Sequence, residues 1–431
     1  MIDNPDSIIE ERFDNKSVIA LNIFWVGFII YIASFTISTS GLVSYVVCNL
    51  FQIAGLLMML PSAVFIMQLR IDNKYLRILF LFYFLWLLGV FIRGLRFDYI
   101  FLKQLLFDPG SGLLLYLVPL VILFPRNPSH LKKVFDVIII LGLFYIAYAS
   151  IFIKEILKPF NDFRSQAIIE YFSQHLSLPT GFMLLTFLFH SGKRKLFALF
   201  IICLTFFFTV IRARRGLMLI SFSMLLFSYF LFQLSNKKKI INSILSIFII
   251  SIISFVAVRL YDEQRKDTFG LITERIGQQT RSRVEEYFYR DLNTKDWIIG
   301  KGMNGKYFCP GVEEGIGRIS IYRSVIETGF LQIILNGGLI SLGLLLLIAI
   351  PAIFKGLFNS KNLLSKAAAM WIVIFLLYLY PGTPAIFSLY HILVWISIGI
   401  CYSEDIRNSS DSYIKKIFSG KKVSASIEEI V

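Results

Sequence analysis

Twelve apolar runs, most of them long enough to cross the roughly 30 Å of hydrocarbon in a bilayer, constrain this chain more than any other feature. They lie at about 18–38, 42–69, 76–93, 112–124, 134–153, 175–190, 196–211, 217–234, 240–259, 329–353, 367–380 and 385–402. The fourth, sixth and eleventh are short for a span. A chain of 431 residues that is 56% hydrophobic and carries 43 phenylalanines has no soluble core able to take up those runs. The bilayer is therefore the solvent for much of it. The fold expected is all-α, a polytopic membrane bundle of about 12 transmembrane helices with one large external loop.

Orientation follows from the short connectors. Alternate ones read RIDNKYLR, PRNPSHLKK, SGKRK, NKKK and KGLFNSKNLLSK, and the tail adds Lys415, Lys416, Lys421 and Lys422. Lysine-bearing connectors stay on the cytoplasmic side, which places both termini there. The segments 39–41, 94–111, 154–174, 212–216, 260–328 and 381–384 then face outward. The expected organisation is spans one to nine over 1–259, the external loop over 260–328, spans ten to twelve over 329–402, and a cytoplasmic tail over 403–431. The N-terminal stretch is acidic and lacks the basic start of a signal peptide, so it is expected to remain in the mature protein.

The net charge of +15 belongs to this lysine pattern. Nucleic acid is not an expected partner, because no basic helix carries interleaved stacking aromatics. Four cysteines and four histidines are scattered without metal-ligand spacing, so no metal or other cofactor is expected. Walker-type glycine loops, HExxH and GxSxG are absent from the sequence.

The interval 260–328 is the one long polar stretch. It carries Arg265, Arg275, Arg281, Arg283, Arg290, Arg318 and Arg323 together with eleven carboxylates. Its DTFGLITERIGQQTRSRVEEYFYRDL segment has apolar residues near a helical period and is expected to form an amphipathic helix. On that helix Arg283 and Arg290 share a face, Arg281 points elsewhere, and ion pairing with Glu285 and Glu286 is the plainer role for each arginine. WIIGKGMNGKYFCPG has four glycines in fifteen residues and is expected to be a turn-rich loop.

Outside that interval, Arg212, Arg214 and Arg215 crowd into the five-residue turn RARRG on the side where cations are rarer. A guanidinium fork suits a diphosphate and stays charged beside hydrocarbon, although snorkelling to headgroups would account for the cluster equally well. Arg164 is external between aromatic-rich flanks. His175 heads a span, where a lone histidine is more often an interfacial polar residue than a base. Glu327, beside Tyr322 and Arg323, directly precedes an apolar helix. A carboxylate there either complements the helix dipole or, held in a cavity, acts as a general base.

Three stretches resemble the O-antigen polymerase family of bacterial inner-membrane proteins and its ligase relatives. FFFTVIRARRGLMLISFSMLLF is similar to the family's arginine-glycine step between spans. DWIIGKGMNGKYF resembles the GxG turn of its late periplasmic loop, and IETGFLQIILNGGLISLGLLL the start of the helix that follows. FRSQAIIEYFSQHLSLPTG is a looser match to the family's arginine-then-helix segment. Ligases carry His-Asn where this chain has Glu327 and Thr328, so the resemblance favours a polymerase. It implies metal-independent glycosyl transfer between polyprenyl-diphosphate-linked oligosaccharide repeat units at the periplasmic face, with undecaprenyl diphosphate released. Glu327 would be the base, and Arg215 and Arg281 would meet the leaving diphosphate. Arg164, His175, Arg212, Arg214, Arg283, Arg290, Tyr322 and Arg323 would bind substrate, and a chain-length regulator protein is a further partner the resemblance allows. An O-antigen ligase, a flippase of lipid-linked saccharide and a non-enzymatic scaffold are the alternatives.

Overall fold

The computed structural model describes residues 15–125, 128–158, 163–235, 280–311 and 321–419. The ninth apolar run, the whole of 260–279, Arg265, Arg275, Arg318, Lys421 and Lys422 lie outside them.

The described chain is nearly all helix. The helices are α1 (Asn15–Thr39), α2 (Tyr45–Ile66), α3 (Lys74–Arg93), α4 (Tyr99–Phe107), α5 (Leu113–Leu117), α6 (Pro128–Ile151), α7 (Ile153–Ile156), α8 (Phe163–Phe172), α9 (Thr180–Leu185), α10 (Gly192–Ile211), α11 (Arg215–Ser235), α12 (Thr280–Asp291), α13 (Thr294–Ile299), α14 (Gly329–Phe358), α15 (Leu363–Tyr378), α16 (Leu389–Tyr402), α17 (Glu404–Asn408) and α18 (Asp411–Ser419). A two-residue antiparallel bridge pairs β1 (Tyr307–Phe308) with β2 (Tyr322–Arg323).

Seven of these helices (α1, α2, α3, α6, α10, α11 and α14) are long and apolar enough to cross a membrane. The fourth, eleventh and twelfth runs form the shorter apolar helices at 113–123, 363–378 and 389–402. The sixth is broken into a wide turn at Ser173–Ser177, α9, and a single tight turn at Phe187–Phe189. Pro179 sits in that break, where it supplies no N–H for a regular helical bond. Several spans open on a polar residue whose side chain takes the first free amide. Asn73 accepts from Leu76 N at 3.0 Å, Asn362 from Ser365 N at 2.8 Å and Ser388 from His391 N at 3.4 Å.

Contacts among the described connectors gather them at two ends of the bundle. At the lysine-bearing end, Gln68 N donates to Leu123 O (2.8 Å). There Asn362 Nδ2 donates to Ile406 O (2.6 Å), and Phe418 of α18 packs on Phe135 and Phe189. At the other end, α4 is fastened by Tyr31 Oη to Leu106 O (3.0 Å) and by Gln52 Nε2 to Phe107 O (3.1 Å). Phe387 N reaches Pro109 O there at 2.8 Å. The amphipathic segment is helical over its described part, α12, whose Val284 and Phe288 are buried with Tyr307 and Leu331. The polar loop is thus packed onto the start of α14.

Inside α14, Gly338 adopts φ 70° and ψ −176°, a conformation open essentially to glycine alone. The helix is therefore two pieces joined at Gly338, and the carbonyls just before the joint lose their partners four residues on. Those carbonyls are met by other segments. Lys301 N donates to Leu335 O (2.7 Å), Gly302 N to Asn336 O (2.9 Å), and Trp86 Nε1 to Gly337 O (2.9 Å). Arg93 closes the seam from α3 with bonds to Ile299 O (2.7 Å) and Gly300 O (3.2 Å). The glycine turn of the polar loop and the Asn-Gly-Gly centre of α14, far apart in the chain, form one joint.

Candidate functional site

A chamber of about 830 Å³ opens among the segments at the end opposite the lysines. Its walls come from the C-terminal halves of α1 and α3, from α4 and the chain around it, from the end of α8, from 303–306, from the first half of α14 and from the turn before α16. The lining residues run from Phe35 to His391 along the sequence, so the chamber exists only in the assembled bundle. Its size lies within the range of small-ligand sites.

Its lining mixes three chemistries. Asp98, Asp108 and Glu170 supply carboxylates, and Gln104, Gln174, Asn304, Gln332 and Asn336 supply amides. Tyr83, Tyr116 and Tyr171 supply aromatic faces with a hydroxyl tip. Carboxylates and amides bond the hydroxyls of a polyol, and flat rings pack on the apolar faces of sugars. Most of these groups are held by their own partners. Asp108 accepts from Gly110 N (2.8 Å) and Ser111 Oγ (2.5 Å). Gln332 accepts from Ile326 N (2.8 Å) and donates to Ser324 O (3.2 Å), tying the turn before α14 to the helix itself. Burial, followed by the negative charges of Glu170 and Asp108, pushes the Tyr171 phenol up to about 12. It is therefore a protonated donor at neutral pH and not a base.

His175 lines the chamber. Its Nδ1 lies 3.0 Å from Tyr171 O, which assigns the proton to Nδ1. Its Nε2 is buried without a hydrogen-bond partner. Of the residues singled out in the sequence, His175 lies in the lining itself, and Arg214 reaches the wall through a 3.0 Å ion pair with Glu170.

The other singled-out residues fall into three groups. Arg212 is fully buried, donating to Lys158 O (2.9 Å) and Ser165 Oγ (2.6 Å), so it clasps the start of α8 to the turn before α11. Arg215 and Glu327 are both exposed, and their segments converge on one turn. A Cβ on Gly216 would stand 3.1 Å from Pro381 O, a Cβ on Gly329 would overlap Gly382 O, and Phe330 N bonds to Leu379 O at 3.2 Å. Close approach of three backbones there requires both glycines. Thr328, the residue after Glu327, donates to the Glu285 carboxylate of α12.

The third group sits on the polar loop. Arg290 pairs with Glu286 at 2.5 Å on an exposed face, and Arg283 is exposed near Gly311. Arg281 belongs to α12, with its side chain outside the described residues. Tyr322 stacks its edge on Phe308 at 5.9 Å, and Arg323, opposite Tyr307, is buried with Nε unpartnered. Arg164 is exposed on the first turn of α8.

Two lining cations, Arg96 and Lys306, carry no signal of their own in the sequence; Lys306 lies inside GKGMNGKYF, which reads there only as a turn. Gln332 and Asn336 did leave a signal, as polar residues one turn apart inside an otherwise apolar run. Among the described residues no group of three or more histidines, cysteines or carboxylates is arranged to hold a metal. Comparison with protein-family models, with curated proteins and with solved structures finds no match to this chain.

Proposed function

We propose that this chain is a polysaccharide polymerase of the O-antigen type, joining oligosaccharide repeat units carried on polyprenyl diphosphate at the outer face of a bacterial inner membrane. The observation that carries the reading is the chamber: carboxylates, amides and tyrosines suited to a saccharide, gathered at the end of an apolar bundle opposite its lysine-bearing connectors. The positive-inside bias makes the lysine end cytoplasmic and the chamber end periplasmic.

In this reading the hydroxyl of one lipid-linked repeat attacks the anomeric carbon of another. The bond from that carbon to the diphosphate oxygen breaks, and undecaprenyl diphosphate leaves. Glu327 takes the proton of the attacking hydroxyl. Arg215 and Arg281 stabilise the charge that develops on the departing diphosphate. Support for pairing Arg215 with Glu327 is the turn at Pro381 and Gly382, against which both of their segments pack. The donor's own glycosyl phosphate bond drives the transfer, so neither ATP nor metal enters the scheme.

The test is reconstitution. Purified protein in liposomes is given polyprenyl-diphosphate-linked repeats, and glycans are resolved by size. A ladder of lengths is expected. Single repeats only, with the lipid moved across the bilayer, would instead indicate a flippase, a reading to which the broken helix α14 gives some weight. Transfer onto a lipid A core, without a ladder, would indicate a ligase.

A further inference from the structure

The arginines that stand out in the sequence are largely engaged by the protein: Arg212 by Lys158 O and Ser165, Arg214 by Glu170, Arg290 by Glu286. The cations that line the chamber are different ones. Arg96 and Lys306 are exposed to it, and neither side chain makes an ion pair or hydrogen bond among the described residues. Their two segments are locked together: Asn304 Nδ2 donates to Gly94 O at 2.6 Å, Met303 N to Val90 O at 3.2 Å, and a Cβ on Gly94 would crowd Met303 and Asn304. Two positive charges without a partner among the described residues are thereby held, each two residues beyond one fixed contact.

Beside them runs an apolar ridge. Phe97, Tyr99 and Ile100 are 88%, 80% and 78% exposed, at the start of α4, and Ile100 also lines the chamber. Asp98, between them, is occupied by capping α4, accepting from Phe101 N at 2.8 Å. Exposed aromatic and aliphatic side chains next to free cations at the end of a membrane bundle suit a molecule with an anionic head and a hydrocarbon tail. A soluble anion would need the cations and not the ridge.

We infer that Arg96 and Lys306 seat the diphosphate of a lipid whose isoprenoid chain lies over Phe97, Tyr99 and Ile100, on a wall distinct from the one that carries Glu170 and Arg214. Identifying the lipid as polyprenyl diphosphate rests on the proposed function. A polymerase needs two such lipids at once, donor and acceptor, and this is the seat of the second.

The experiment counts bound lipid. Native mass spectrometry of the detergent-solubilised protein with polyprenyl diphosphate is expected to show up to two lipids on the wild type and one on the R96A/K306A double variant. Each single substitution should weaken the second event about tenfold, the scale of one charge-assisted bond. R96K/K306R, which keeps both charges, should still bind two. F97S/Y99S should weaken the lipid without changing the affinity for inorganic pyrophosphate. R70A, at the opposite end and paired there with Asp72, serves as the control. Two lipids on the double variant would overturn the inference even if the protein polymerises normally. Pyrophosphate competing as well as the lipid would overturn the lipid assignment in favour of a free anion. Loss of the second lipid in a protein that makes no ladder would leave the seat standing and remove the polymerase reading.

Discussion

Replacing Gly338 with alanine should damage this protein far more than a one-methyl change in a membrane helix ordinarily does. The φ of 70° with ψ near 180° lies in a region where any side chain costs about 1–3 kcal/mol. The new Cβ would also overlap the carbonyl of Ile298, forcing 298–302 away from α14. That shift breaks the bonds from Lys301 N to Leu335 O and from Gly302 N to Asn336 O, each contributing about 1 kcal/mol. The expected loss is about 3–5 kcal/mol, a fall of roughly 5 °C in unfolding midpoint for a chain of this size. Gly343→Ala supplies the comparison. It lies in the same helix with nothing within 4 Å of its added Cβ, so it should leave the midpoint unchanged or raise it slightly. Thermal unfolding of both variants in detergent, followed by intrinsic fluorescence, decides the matter. Trypsin cleavage after Lys301 should also quicken in Gly338→Ala, because the loop is released before the bundle melts. Equal midpoints for the two variants would refute the joint as described.

Arg212→Ala should lower folded yield and cost about 2–4 kcal/mol by leaving buried acceptors unsatisfied. Arg212→Lys should rescue little, since an ammonium cannot reach Lys158 O and Ser165 Oγ together as the guanidinium fork does; size-exclusion profiles in detergent report the difference. Glu327→Gln and Arg215→Ala, both at exposed positions, should instead insert and unfold like wild type while glycans in the cells stop at one repeat. A normal ladder from either variant would remove that residue from the mechanism.

Hydropathy made most of this bundle legible because burial in lipid demands long uniform runs whatever the neighbours. Ten of the twelve runs correspond to apolar helices in the described chain. The sixth escaped because the polar stretch from Ser173 to Ser177 and then Pro179 interrupt its hydrogen bonding, a local event that a run of apolar letters conceals. Site residues were less legible. Whether an arginine is available depends on partners such as Ser165 and Glu170, both more than forty residues from the RARRG turn, and no pattern within that turn reveals them. Conversely Arg96 and Lys306 look like ordinary connector cations until Gly94 and Asn304 are seen to touch. The two glycine motifs were each visible, and their meeting was not.

That meeting has a mechanical consequence. Because 298–304 is bonded at once to α3 and to the piece of α14 that precedes Gly338, the folded part of the polar region packed on it does not swing as an independent cover. Any excursion must drag the end of α3 and the first piece of α14 with it, so opening there requires the seam itself to part.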